Sequence, residues 1–259
     1  CGMKIATYLI NLDGSNDRLA SATAQLQQHG IAFERIAAVD GRKFAVEELA
    51  IYDKKRALRY MGRDLVGGEL GCYMSHIKCA EAFLASNAEI AIVLEDDMQC
   101  GYNFLPALIE AAHWLEQNGH GDWQVINFGN QKLKISTPLH AISSNPVGAV
   151  LHAAHYFPMT TTGLVWSRTG AAEFLKQTQE HRIFCPVDNF LRYWQTRTGR
   201  GYCFAPALVQ TTGTGSEIYH VAVRKKHQRA PYYFFSKQAR LWHDKYLAMR
   251  ARRRAKVIL

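Results

Sequence analysis

The residues best placed to do chemistry are three adjacent carboxylates, Glu95, Asp96 and Asp97, which follow directly on the apolar run IAIVL at 90–94. A short, β-branched apolar run bounded by polar residues reads as a strand buried on both faces. Three neighbouring charges repel and cannot stay dry, so the strand must end there and deliver them to its carboxyl edge. In open α/β sheets that edge is where ligands bind. Alternate residues of an extended segment point the same way, so Glu95 and Asp97 can face one hard divalent cation, which takes oxygen ligands and shares them with substrate phosphates. A solvated acidic turn after a core strand explains the same residues. The spacing alone leaves both readings open.

The elements that must position this cluster can be read outward from it. The segment 4–12 (KIATYLINL) predicts a first strand, Asp13-Gly14 a break, and Ser15 an N-cap for a helix through His29. A second strand over 33–39 ends at Asp40-Gly41, so β-α-β places an aspartate after each strand, as a nucleotide pocket would need or as ordinary turns would supply. Residues 42–66 read as a mobile helical excursion over the site, and Gly67-Gly68 as a pair that frees the backbone before a helix from 69 to about 86. Leu70, Tyr73, Met74, Ile77, Ala80 and Leu84 form that helix's apolar stripe; Cys72, His76 and Cys79 lie on another face, with Ser75 beside it. Further on come a helix over 104–117, strands over 123–128, 160–167 and 202–209, and helices over 169–179 and 190–195. Pro186-Val187-Asp188-Asn189 opens the last of these, and 130–150 is expected as a long irregular loop on the acceptor side. Gly213-Thr214-Gly215-Ser216 lacks the lysine of a P-loop.

Composition narrows the class. The 259 residues are 48% hydrophobic and 20% charged, the balance of a globular chain of one or two domains. No apolar run approaches the ~20 residues of a membrane-spanning helix. No secretory leader pattern opens the sequence, and Cys1-Gly2 reads as a scar ahead of a natural start at Met3. The remaining cysteines, Cys72, Cys79, Cys100, Cys185 and Cys203, match no CxxC metal spacing and are odd in number, which points to reduced thiols in a cytoplasmic protein. The net charge of +9 is local: 218–259 hold twelve Lys or Arg against Asp244 alone, so the first 217 residues carry −2. A nucleic-acid-binding face usually runs across the fold, and this distribution argues against one. From Ser236 the tail reads as a helix with Leu241, Trp242, Tyr246 and Met249 on one face, followed by Arg250, Arg252, Arg253, Arg254 and Lys256. Such a segment suits an anionic membrane surface, or equally a solvated helix end.

Five motifs then stand in a telling order: YLINLD (8–13) with Arg18, AVDG (38–41), GELGC (68–72) with Ser75-His76, LEDD (94–97) and PVD (186–188). Together they resemble glycosyltransferase family 25, over most of residues 3–217. The resemblance implies an α/β, GT-A-like Rossmann-type fold with a mainly parallel sheet: a catalytic domain over 3–217, its nucleotide-sugar half at about 3–100 and its acceptor half at about 101–217, followed by a basic helical extension over 218–259. It implies an inverting, β-forming transfer of a hexose, galactose from UDP-galactose, onto a saccharide or glycolipid hydroxyl in lipooligosaccharide, lipopolysaccharide or related surface-glycan synthesis. Mn²⁺ (or Mg²⁺) would be held at a DxD-type motif, here Glu95-Asp96-Asp97, with Asp97 as the direct ligand and Glu95 acting through water or on the sugar. Asn11, Asp13, Arg18 and Asp40 fall where uridine and ribose would dock, Ser75, His76, Glu95 and Asp96 near the sugar diphosphate, and His220 as a late metal ligand. Asp188 is the expected base on the acceptor hydroxyl. The implied location is cytoplasmic, peripheral at the inner membrane face through the basic tail, with no nucleic-acid partner. A metal-dependent nucleotidyltransferase, using the same carboxylates on an incoming phosphate, is the rival enzyme class.

Overall fold

In the computed structural model, which describes residues 2–43, 45–101, 104–129, 132–212 and 231–255, the acidic cluster ends a central strand. That strand, β3 (Ile90–Glu95), lies in an eight-stranded sheet. Its companions are β1 (Ile5–Asn11), β2 (Glu34–Ala37), β5 (Val125–Asn127), β6 (Thr137–Ala141), β7 (Val150–Ala153), β8 (Gly163–Ser167) and β9 (Gly201–Ala205), in the order β2-β1-β3-β8-β5-β9-β7-β6. The pairings of β1 with β2, β1 with β3 and β5 with β9 are parallel, and the rest antiparallel. Six strands therefore run one way, with β8 and β7 reversed, so the sheet is mainly parallel in direction. It crosses the expected boundary at residue 100 through the β3–β8 pairing.

Both faces of β3 are covered, which is why its sequence is apolar without alternation. Ala91 and Val93 join the core beneath α2 (Lys54–Met61), α3 (Gly67–Ala85), α5 (Arg168–His181) and α6 (Val187–Thr198). Ile90, Ile92 and Leu94 join the opposite core beneath α1 (Asn16–Gln28) and α4 (Phe104–Gln117). The result is a three-layer α/β/α arrangement.

Several expectations need correction. The Gly67-Gly68 pair does not precede α3 but forms its first turn. It serves close approach: a Cβ on Gly41 would lie 1.7 Å from the Gly67 carbonyl oxygen, and one on Gly71 2.3 Å from that of Val39. The 42–66 region holds two short 3₁₀ turns, Gly41–Lys43 and Val46–Glu48, and α2. Helix α3 has no single apolar stripe, because it packs on the sheet and on α5 and α6 together, burying Ser75, His76 and Cys79 along with Leu70 and Tyr73. The 130–150 stretch contains β6 and, with β7, forms an antiparallel hairpin at the sheet edge rather than an irregular loop. The 202–209 strand is split by a turn into β9 and β10 (Val209–Thr211), and β10 pairs with β4 (Met98–Cys100) in a small second sheet.

The C-terminal helix α7 (Tyr233–Ala255) starts before Ser236 and packs against α2 and α6. Tyr233 covers Gly62, Arg240 donates to the Tyr60 carbonyl and stacks on its ring, and Asp244 accepts from Arg197 at 2.9 Å. Tyr233, Asp244 and Ala248 make up its buried side. Phe235, Trp242, Tyr246 and Met249, spaced by seven, four and three residues, form an opposite stripe open to solvent. Leu241, expected on that stripe, is instead half-buried. Among the described residues no helix is long and apolar enough to cross a membrane.

Candidate functional site

A cavity of about 540 Å³ opens at the carboxyl ends of β1, β2 and β3. Ile10, Leu12, Ala38 and Val39 give it an apolar wall, Arg18, Asp40 and Arg42 a polar rim, and Glu95, Asp96 and Asp97 a floor; Gly67 and Gly68 bring the first turn of α3 to it. A helix start offers free amides and a favourable dipole to an anion. An apolar slot beside such a helix start and a carboxylate cluster suits a flat base joined to a diphosphate.

Sheet register builds the floor. Ile10 of β1 stands opposite Glu95, so the next residue, Asn11, falls beside Asp96. Asn11 is buried; its Nδ2 donates to Asp96 Oδ2 at 2.7 Å and its Oδ1 accepts from Arg35 Nε at 2.9 Å. Arg18 Nη1 donates to Asp96 Oδ1 at 3.3 Å. Both oxygens of Asp96 are thus held by the protein. On the other side Leu94 pairs with Gly163, which brings the 160–162 segment over Glu95. There Thr161 Oγ1 donates to Glu95 Oε1 at 2.7 Å, His76 Nε2 lies 3.3 Å from the same oxygen and Cys72 Sγ 3.7 Å from it. Burial pushes the Glu95 pKa up, but the His76 hydrogen bond and charge, then Thr161 and Cys72, outweigh it and hold the carboxyl below its usual range.

Asp97 is held differently. Its Oδ2 accepts from Thr211 Oγ1 at 3.0 Å and its backbone oxygen from Thr212 N at 2.8 Å, the last residue of β10 and the one after it. Its Oδ1 is buried and, among the described residues, has no hydrogen-bond partner. Burial first, and then the Glu95 charge, push its pKa up. A buried carboxylate oxygen without a donor, inside an oxygen-rich cluster, fits a hard cation such as Mn²⁺ or Mg²⁺. Cys72, His76 and Glu95 also bring a sulfur, a nitrogen and an oxygen within 4.8 Å of one another, but hydrogen bonds onto Glu95 account for that grouping.

The remaining expected residues divide plainly. Asp40 lines the cavity, and the guanidinium and backbone N–H of Arg42 hold its carboxyl at about 2. Ser75 also lines it, yet its hydroxyl is committed: Oγ donates to the Gly71 carbonyl at 2.7 Å and accepts from Val39 N at 2.9 Å, pinning the end of β2 to α3. Asn11, Asp13 and His76 are not in the wall. Asn11 and His76 act on Asp96 and Glu95 from behind, and Asp13 stands exposed in a pair with Arg35 at 2.6 Å. Ser15 occupies the N-cap position of α1 without a side-chain cap bond. His220 lies outside the described residues.

Asp188 sits in the first turn of α6, half-buried, after an N-cap that falls on Pro186. Among the described residues its side chain bonds the neighbouring Asn189 alone, through N at 2.7 Å and Nδ2 at 3.0 Å, so it does not cap the helix in the ordinary way. Burial raises its pKa against those bonds, and its charge acts on the Cys72 thiol, which lines the cavity. A carboxylate whose proton affinity burial raises can accept a proton, the chemistry that a general base supplies. Sequence reasoning missed Thr161, Thr211, Arg35 and Arg42. Arg42, two residues after Asp40, had a signal in its spacing; the others arrive through strand pairing.

The family described as "Glycosyltransferase family 25 (LPS biosynthesis protein)" matches residues 4–191. Among curated relatives, procollagen galactosyltransferase 2 of Homo sapiens is 25% identical over 79% of this chain and 34% of its own length. Procollagen galactosyltransferase 1-A of Xenopus laevis is 29% identical over 71% of this chain and 30% of its own. The chain thus spans about a third of the length of these relatives. One solved structure, a glycosyltransferase involved in glycosylation of the major capsid of PBCV-1, overlaps 86% of this chain and 98% of its own at 11% identity and a TM-score of 0.42.

Proposed function

The chain belongs to glycosyltransferase family 25, and from that premise we propose that it transfers galactose from UDP-galactose, with inversion, to a saccharide hydroxyl in lipooligosaccharide, lipopolysaccharide or related surface-glycan synthesis. The observation that carries the reading is the floor of the cavity. Three carboxylates end a buried strand there, two of them fixed by protein donors and the third, Asp97, left with a buried oxygen unpartnered. Asp97, with Glu95 beside it, would hold Mn²⁺ or Mg²⁺; bound there, the cation would supply Lewis-acid neutralisation of the leaving diphosphate. Asn11 and Arg18 fix Asp96, and His76 and Thr161 fix Glu95, so the floor is preorganised before any donor enters. The apolar wall of Ile10, Leu12, Ala38 and Val39 receives the base, and Asp40, already ionised, accepts from ribose hydroxyls. Asp188 takes the proton of the acceptor hydroxyl as the new bond forms.

The basic tail fits a peripheral place at the inner face of the cytoplasmic membrane. Helix α7 turns Trp242, Tyr246 and Met249 outward, among Lys245, Arg250, Arg252 and Arg253, while its other side stays docked. The test of the enzymatic reading is a panel of nucleotide sugars incubated with Mn²⁺ or with chelator. UDP release from UDP-galactose that chelation suppresses is the expected result; sugar 1-phosphate release from the nucleotide sugar, or pyrophosphate release in a parallel incubation of UTP with galactose 1-phosphate, would assign the site to nucleotidyl transfer.

A further inference from the structure

One helical turn after Asp188, Arg192 is half-buried and, among the described residues, makes no ion pair with a carboxylate, although the Asp188 charge reaches it. Its guanidinium sits 4.3 Å from the centre of the buried Tyr156 ring, Nε donates to the Phe157 carbonyl at 2.7 Å, and Nη1 lies 3.5 Å from the Tyr156 hydroxyl. Lys134, from the segment before β6, places its Nζ 5.8 Å from the centre of the same ring. Two cations therefore share one aromatic ring, and among the described residues neither is paired with an acid. Lys132 beside them and Lys245 from α7 are close enough to add to the field: burial first, then Arg192, Lys245 and Lys132, push the Lys134 pKa down. Like charges gathered at a partly dry surface are costly unless an anion joins them.

The cluster also has a definite place. Arg192 and Asp188 lie four residues apart on α6, so they share one face of the helix, and the Asp188 charge reaches Cys72 in the cavity wall. The Tyr156 ring gathers both cations, Arg192 being one helical turn beyond the base. We propose that Arg192 and Lys134 receive an anionic group, phosphate or carboxylate, borne by the saccharide acceptor, and so select charged acceptors over neutral ones. The proposal rests on the reading of Asp188 as the base that faces the acceptor. Arg192 keeps N–H groups beyond Nε for such an oxyanion, and Lys134 adds a mobile point charge.

The test is a titration of the full chain, saturated with UDP, with glucose 6-phosphate and with glucose. The phosphorylated sugar should bind roughly ten times more tightly or better, and Lys134→Glu, an exposed change, should weaken it roughly tenfold. Arg192→Lys, which keeps the charge and loses the fork, should weaken it less than Lys134→Glu. Equal binding of the two sugars, or indifference of glucose 6-phosphate to Lys134→Glu, overturns the proposal. A parallel arm uses phosphatidylglycerol-containing vesicles. If Lys134→Glu reduces only vesicle binding, the cluster belongs to a lipid headgroup and the acceptor assignment is wrong. Failure of UDP itself to bind would count against the donor reading alone, because the sugar comparison involves no turnover and can be repeated without nucleotide.

Discussion

At the scale of single residues, the two carboxylates with raised pKa values make opposite demands. Asp97 has a buried oxygen without a donor, so in metal-free protein its ionised form is a cost. Its folded pKa lies above the unfolded value, so stability falls as pH rises from the unfolded value through the folded one. Asp97→Asn should therefore melt higher than the parent at neutral pH in chelator, with the gap closing in acid, where Asp97 itself is protonated. Added Mn²⁺ should raise the parent's Tm and leave that of the variant unmoved. A variant less stable at both pH values would mean that the Thr211 bond outweighs the charge. For Asp188 the raised pKa serves proton transfer: Asp188→Asn should lower turnover by about 100-fold or more while UDP affinity holds. Loss of UDP affinity with turnover kept would make Asp188 a donor-binding residue instead.

At the scale of elements, the cavity depends on the seat between the Asp40-Gly41 loop and the first turn of α3. A methyl on Gly41 would strike the Gly67 carbonyl at 1.7 Å, so Gly41→Ala should push α3 off the loop. The expected cost is about 2 kcal/mol in denaturant melts, with weaker UDP binding; unchanged stability would show that the seat yields freely. The same scale explains what the sequence made legible. β1, β2 and β3 and the long helices announce themselves by apolar pattern, and the acidic cluster by its place after a buried run. β4, β6, β7 and β10 are three to five residues long, with polar members, and exist because a distant partner pairs with them. Thr161 and Thr211 reach Glu95 and Asp97 across 66 and 114 residues of chain, so no local pattern could point to them. Asp13 failed to reach the cavity for a related reason: Arg35, brought alongside by β2, holds it at the surface.

At the scale of the whole molecule, a large share of the excess positive charge, seven Lys or Arg against Asp244, sits in a helix docked by one side only. Deleting the helix would strip Asp244 from Arg197 and uncover α2 and α6, so the better test changes its outer side. Trp242→Ser and Tyr246→Ser with Arg250→Ser and Arg253→Ser should abolish cosedimentation with anionic vesicles at low salt, since each Lys or Arg near such a surface contributes about 1 kcal/mol. Tm should hold, and the parent should be released as salt screens the attraction. Undiminished vesicle binding by the quadruple variant would make that side a solvated surface and nothing more.

Binding of a galactose donor at the end of β3, with a cation on Asp97, is read out by calorimetric titration of UDP-galactose. The parent should bind in chelator, tighten when Mn²⁺ is added, and prefer UDP-galactose to UDP-glucose. Asp97→Asn should keep the metal-free affinity and lose the Mn²⁺-dependent gain. Absence of UDP-galactose binding by the parent, or a Mn²⁺ gain that survives in Asp97→Asn, would mean that the end of β3 is not a UDP-galactose site with its cation on Asp97.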